Sequence, residues 1–75
     1  MVYEKLKELL VEQLGVDEGD ITPDTDIMED LGADSLDVAE LIAMLEDEFN
    51  ILITDERIRE LVTVGDVSDF IEKLI

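Results

Sequence analysis

Ser35-Leu36-Asp37-Val38-Ala39-Glu40-Leu41-Ile42-Ala43-Met44-Leu45-Glu46-Asp47-Glu48-Phe49, preceded by Leu31-Gly32-Ala33-Asp34, is the stretch whose reading decides the fold. At about 100° per residue, Val38, Leu41, Ile42, Leu45 and Phe49 share one face of a helix, and that face must be core. Leu36, Ala39 and Ala43 fall on nearly the opposite side, fringed by Glu40, Glu46 and Asp47. Folding does not need a narrow apolar stripe edged with carboxylates, so the stripe reads as a docking surface. The helix starts at about Ser35, and either Ser35 or Asp34 could be its N-cap.

Upstream, Val2, Leu6, Leu9, Leu10 and Leu14 repeat at helical spacing, and Gly15 follows as a left-handed C′ residue. Val16 would then meet Val11 in a Schellman ending. From Gly15 to Asp34 the period is lost, leaving a long loop whose isolated apolar residues Ile21, Ile27, Met28 and Leu31 suggest that it lies against the core. Thr22-Pro23-Asp24-Thr25 fits a turn with proline second. Ile27 to Leu31 reads as one helical turn stopped by Gly32.

Downstream, Thr54 with Asp55 and Glu56 starts a short helix whose inward residues are Ile58 and Leu61. Thr63-Val64-Gly65-Asp66 opens the last helix as a capping-box-like start, with Val67, Phe70, Ile71 and Leu74 on its core face. Gly65 lowers helix propensity there by about 1 kcal/mol relative to alanine. The expectation is an all-α chain of three longer helices and one short one, forming a single domain over residues 1–75.

Composition narrows the function. The chain has no cysteine and no histidine, which removes Cys–His and Ser–His catalysis and the usual zinc sites. With 22 acids against 5 bases and a net charge of −17, it should repel nucleic acid and anionic lipid and attract basic proteins or cations. An EF-hand starting at Asp24 fails, because Met28 and Glu29 fall where an oxygen ligand and a glycine are required; no metal site is assigned. No apolar run approaches the ~18 residues of a membrane span. The N-terminus opens directly into an amphipathic helix, so a soluble intracellular chain is expected.

Asp34 and Asp37 flank Ser35, yet no histidine or nearby lysine could activate that hydroxyl. The chain is therefore not expected to be an enzyme. Ser35 could be a cap or a site of modification, since a helix N-terminus favours a phosphate ester through its free N–H groups and dipole.

Glu29-Asp30-Leu31-Gly32-Ala33-Asp34-Ser35-Leu36-Asp37, continuing through Glu40-Leu41 and Leu45-Glu46-Asp47-Glu48-Phe49, resembles the acyl carrier proteins, discrete bacterial fatty-acid type. Gln13-Leu14-Gly15-Val16 and Thr63-Val64-Gly65-Asp66 extend the likeness to essentially the whole chain. The resemblance implies an antiparallel four-helix bundle with a short third helix and a long loop between helices 1 and 2. It implies 4′-phosphopantetheine, taken from coenzyme A, on Ser35, its thiol carrying acyl chains as thioesters in a cytoplasmic, monomeric carrier. By position, Asp34, Leu36, Asp37, Glu40, Glu46 and Asp47 would contact basic surfaces of fatty-acid synthesis enzymes and the phosphopantetheinyl transferase. Leu41, Ile42, Leu45, Ile53, Ile58, Leu61 and Phe70 would line the acyl pocket. Arg57 and Arg59 depart from the usual acidity of such carriers in this region, through either a changed partner set or local pairing with Glu56 and Glu60. Carriers for polyketide or D-alanine pathways would share the fold and the serine. An unmodified acidic adaptor is the alternative from another class.

Overall fold

The computed structural model describes residues 2–54, 57 and 60–75. Among these, the chain forms three α-helices, α1 (Val2–Leu14), α2 (Ser35–Phe49) and α3 (Val64–Glu72), with a 3₁₀ turn at Glu18–Asp20. The all-α expectation is met. The short helix expected at Asp55, Glu56 and Ile58 lies outside the described residues, as does Arg59.

The spacing of α1 has the consequence read from it: Val2, Leu6, Leu9 and Leu10 are buried. Helix α1 packs against both α2 and α3, whereas α2 and α3 hardly touch each other. The first helix is thus the spine of the molecule, and a space remains between the other two. Leu6 and Leu10 of α1, Leu45 of α2, and Val64 and Ile71 of α3 are fully buried around the spine, each contributing about 1.5–3 kcal/mol relative to exposure.

Gly15 adopts φ +69° and ends α1. A single bond from its N–H to Val11 O, at 2.9 Å, makes this the αL ending rather than the expected Schellman pair. Asn50, at φ 53°, ends α2; its N–H and that of Ile51 both reach Glu46 O.

The loop between α1 and α2 does not hang free. Thr25 N–H reaches Thr22 O at 3.0 Å, closing the turn around Pro23. Thr25 is buried, and its hydroxyl accepts from Thr22 N–H at 2.8 Å and donates to Asp20 O at 3.3 Å. The loop is then stitched to the start of α3 by Ile27 N–H to Val62 O, Val64 N–H to Thr25 O and Gly65 N–H to Pro23 O, at 3.0, 3.0 and 2.9 Å. Asp26 and Thr63 form an isolated antiparallel bridge in this clasp. Next, Asp30 N–H bonds to Asp26 O and Gly32 N–H to Met28 O, one helical turn that Gly32 stops at φ +75°.

Two expectations are corrected. Leu74 is not core: α3 ends at Glu72, the chain turns through Leu74 N–H to Ile71 O, and the Leu74 side chain is carried out to 45% exposure. Gly65 is not simply a poor helix former. A Cβ there would lie 2.8 Å from Pro23 O, so the close approach of loop and helix requires glycine.

Candidate functional site

The choice of N-cap falls to Asp34. Its Oδ1 accepts from Asp37 N–H at 2.9 Å, and Asp37 Oδ2 accepts from Asp34 N–H at 3.2 Å, a reciprocal capping box made of two aspartates. Ser35 is the first helical residue and has no capping duty. It is exposed, and its hydroxyl takes part in no hydrogen bond among the described residues. The sequence pattern could not separate the two candidates, because both side chains cap well; the extended backbone of Asp34, φ −103° and ψ −177°, decides it.

Beside Ser35 the space between α2 and α3 forms an apolar cavity of about 150 Å³. Helix α2 supplies Val38, Ala39, Leu41, Ile42 and Leu45, the loop supplies Ile27 and Met28, and Leu61 and Val67 complete the wall. Leu41, Leu45, Ile27 and Val67 are buried, whereas Ser35 and Met28 are exposed. The mouth therefore lies between Ser35 and Met28. Among the described residues, Ser35 is the one polar member of the lining.

Of the expected pocket residues, Leu41, Ile42, Leu45 and Leu61 meet in this cavity. Ile53 does not line it, and Ile58 lies outside the described residues. Phe70 faces elsewhere, lining a second groove with Arg57, Leu61, Lys73 and Leu74. Sequence reading missed Ile27, Met28, Val38, Ala39 and Val67 as lining. Helical phase did put Val38 on the inner face, but Ala39 was grouped with the outer stripe. The α2–α3 gap is wide enough to expose one flank of the helix to the cavity, and period alone does not report a gap.

The acidic face is differentiated by its local bonds. Leu36 is 66% exposed, and Asp47 is exposed. Glu40 Oε2 accepts from Gln13 Nε2 at 2.6 Å, which ties this carboxylate to α1. Glu46 Oε2 accepts from Ile53 N–H at 2.7 Å, so this side chain braces the turn after α2. Asp37 is held in the capping box. Lys5 bridges Glu8 at 3.4 Å and Glu48 at 2.7 Å; the hydrogen bond to Glu48, then that to Glu8, raises its pKa above the ordinary 10.5. Among the described residues no three acids converge as a metal site, and no helix is long and apolar enough to cross a membrane.

The site is an exposed serine on the first turn of a helix, beside an apolar cavity and without a hydrogen bond among the described residues. The family model described as "Phosphopantetheine attachment site" matches residues 4–71. An acyl carrier protein of Solidesulfovibrio magneticus is 50% identical over 72 residues, covering 96% of this chain and 92% of that one. Among solved structures, a Mycobacterium tuberculosis chain described as an acyl carrier protein superposes with TM-score 0.90 at 35% identity, over 100% of both chains. The acyl carrier protein of Enterococcus faecalis gives 0.82 at 32% identity, over 99% of this chain and 94% of that one. The chain belongs to the acyl carrier protein family. It is a non-catalytic carrier with a 4′-phosphopantetheine prosthetic group, carrying acyl chains to enzymes that act on them.

Proposed function

We propose that the whole chain, residues 1–75, is one acyl-carrier domain whose prosthetic arm is esterified to Ser35, and that it serves fatty-acid synthesis as a cytoplasmic monomer. The observation that carries this reading is the Ser35 hydroxyl: exposed, without a hydrogen-bonding partner among the described residues, and at the mouth of the cavity. The hydroxyl has room for a phosphodiester. The N–H groups of the helix's first turn and the helix dipole offset repulsion from Asp34 and Asp37. Once attached, the arm supplies the thiol that holds the acyl group, in a chain with no cysteine of its own.

The cavity beside Ser35 shelters the acyl chain, with Leu41, Ile42, Leu45 and Leu61 in contact with it. Its described lining favours a hydrocarbon over a D-alanyl group, whose ammonium would find, among the described residues, only the Ser35 hydroxyl as a polar neighbour. The Leu31-Gly32-Ala33-Asp34-Ser35-Leu36-Asp37 wording also favours the fatty-acid type. Basic surfaces of the synthesis enzymes and of the phosphopantetheinyl transferase dock on Asp34, Leu36, Glu40 and Asp47. Asp37 and Glu46 add negative charge from fixed positions. Repulsion between copies of net charge −17 keeps the protein monomeric.

Incubation with coenzyme A, magnesium and a promiscuous phosphopantetheinyl transferase, followed by intact mass, tests the site. The wild type gains the mass of the arm and Ser35→Ala does not; a gain retained in Ser35→Ala removes the assignment. Loading by an acyl-carrier synthetase but not by a D-alanine ligase is the result expected of the fatty-acid reading.

A further inference from the structure

We propose that Met28 discriminates acyl length: its side chain is the rim that covers the methylenes of chains too long for the cavity beside Ser35. The inference rests on the reading that this cavity shelters the acyl chain. The cavity measures about 150 Å³. Apolar cavities of about that volume accommodate benzene, so the space is filled by about six carbons. A longer chain whose methyl end rests on the buried Leu41 and Leu45 leaves its further methylenes at the mouth.

The mouth offers those methylenes one large apolar partner among the described residues. Ser35 is polar, and Ala39, one turn further along α2, carries only a methyl group. Met28 is 49% exposed, whereas the other large apolar side chains of the described lining are buried or half-buried. A single exposed apolar residue on a surface needs no explanation. One that also lines an apolar cavity has unused apolar surface at that cavity's opening.

Local bonding fixes where Met28 stands and leaves its side chain to move. Its N–H and that of Glu29 donate to Asp26 Oδ1 at 3.0 and 2.8 Å, and its carbonyl accepts from Gly32 N–H at 3.1 Å. Asp26 is itself bridged to Thr63, and Ile27 N–H donates to Val62 O. The Met28 backbone is therefore tied to the segment that enters α3, across the cavity from α2. Its side chain is an unbranched thioether with three rotatable bonds, which lets it fold over whatever projects from the mouth. A chain of about six carbons lies below this rim and gains nothing from it; a longer one does.

Hexanoyl and decanoyl arms, amide-linked so that they do not hydrolyse, are installed on Ser35 of the full chain from the corresponding coenzyme A analogues. In NMR, the Leu41 and Leu45 methyl shifts give the ratio of sheltered to released chain, and contacts of the Met28 methyl locate the rim. Both chains are expected to shift Leu41 and Leu45, and the Met28 methyl to touch the middle methylenes of decanoyl. Covering one methylene is worth about fourfold in that ratio. Met28→Ala should therefore lower the decanoyl ratio about four- to fifteenfold, the cover of one or two methylenes, and the hexanoyl ratio by less than about twofold. Met28→Leu, which keeps an apolar side chain of similar volume, should hold both ratios within about twofold of the wild type. The proposal is overturned, while the shelter reading stands, by a decanoyl chain without Met28 contacts or by a decanoyl ratio that falls no further than the hexanoyl one in Met28→Ala. A decanoyl loss as large in Met28→Leu as in Met28→Ala overturns it equally. A hexanoyl chain that shifts neither Leu41 nor Leu45 overturns the shelter reading, and the rim with it.

Discussion

Replacing Gly65 with alanine sets two effects against each other, and the structure decides the sign. In an exposed helical position the change would stabilise by about 1 kcal/mol through helix propensity. Here the new Cβ would stand 2.8 Å from Pro23 O and 3.3 Å from Pro23 Cβ. The backbone oxygen cannot rotate away as a side chain could, and it is the acceptor of Gly65 N–H. Relief therefore means opening the clasp. Overpacking costs about 1–3 kcal/mol, and each weakened clasp bond can lose up to about 1 kcal/mol net. The propensity gain does not cover this, and a net loss of about 1–2 kcal/mol is expected. For a domain of this size that lowers Tm by about 5–15 °C. Thermal and urea unfolding followed by circular dichroism would measure it, the urea midpoint falling at unchanged slope. Gly19→Ala is the control, since nothing lies within 4 Å of a Cβ there and that variant should be neutral or slightly stabilising. A Gly65→Ala protein as stable as the wild type would refute the clasp as a source of stability.

Asp34→Ala should cost about 0.5–2 kcal/mol as the loss of an N-cap, whereas Ser35→Ala should stay within about 0.5 kcal/mol; equal losses in urea unfolding would contradict the capping box. Ala39→Leu adds three carbons to the wall of a cavity that holds about six. It should leave the unloaded protein as stable or more so, and should speed hydrolysis of a hexanoyl thioester; unaltered hydrolysis would place the acyl chain elsewhere. Lys5 has a raised pKa in the fold through Glu48 and Glu8. Its contribution is therefore complete below its ordinary value of 10.5 and is lost as pH rises through the higher folded value. Melting temperatures at rising alkaline pH should fall less in Lys5→Met than in the wild type, and parallel curves would show that the ion pairs contribute nothing.

The sequence by itself determined the helices and the serine. Apolar residues at helical spacing can satisfy burial in only one phase, so α1 and α2 have the limits their patterns prescribe, and Thr63 and Asp66 form the expected capping box, with bonds of 3.1 and 3.3 Å. The outer position of Leu36 follows from the same phase. Only the tertiary structure decided what lies between helices. Period says which side of α2 turns inward, but not that α2 and α3 stand apart around a cavity, nor that Ala39 borders it and Phe70 does not. Local patterns cannot reveal contacts across long separations: Gly65 looked like a propensity defect until Pro23 was brought against it, and Glu46 looked like a free docking charge until Ile53 N–H was found on its carboxylate. Ser35 was legible as the candidate from its neighbours. Its freedom from capping was not, because two adjacent side chains competed for one role and backbone geometry gave it to Asp34.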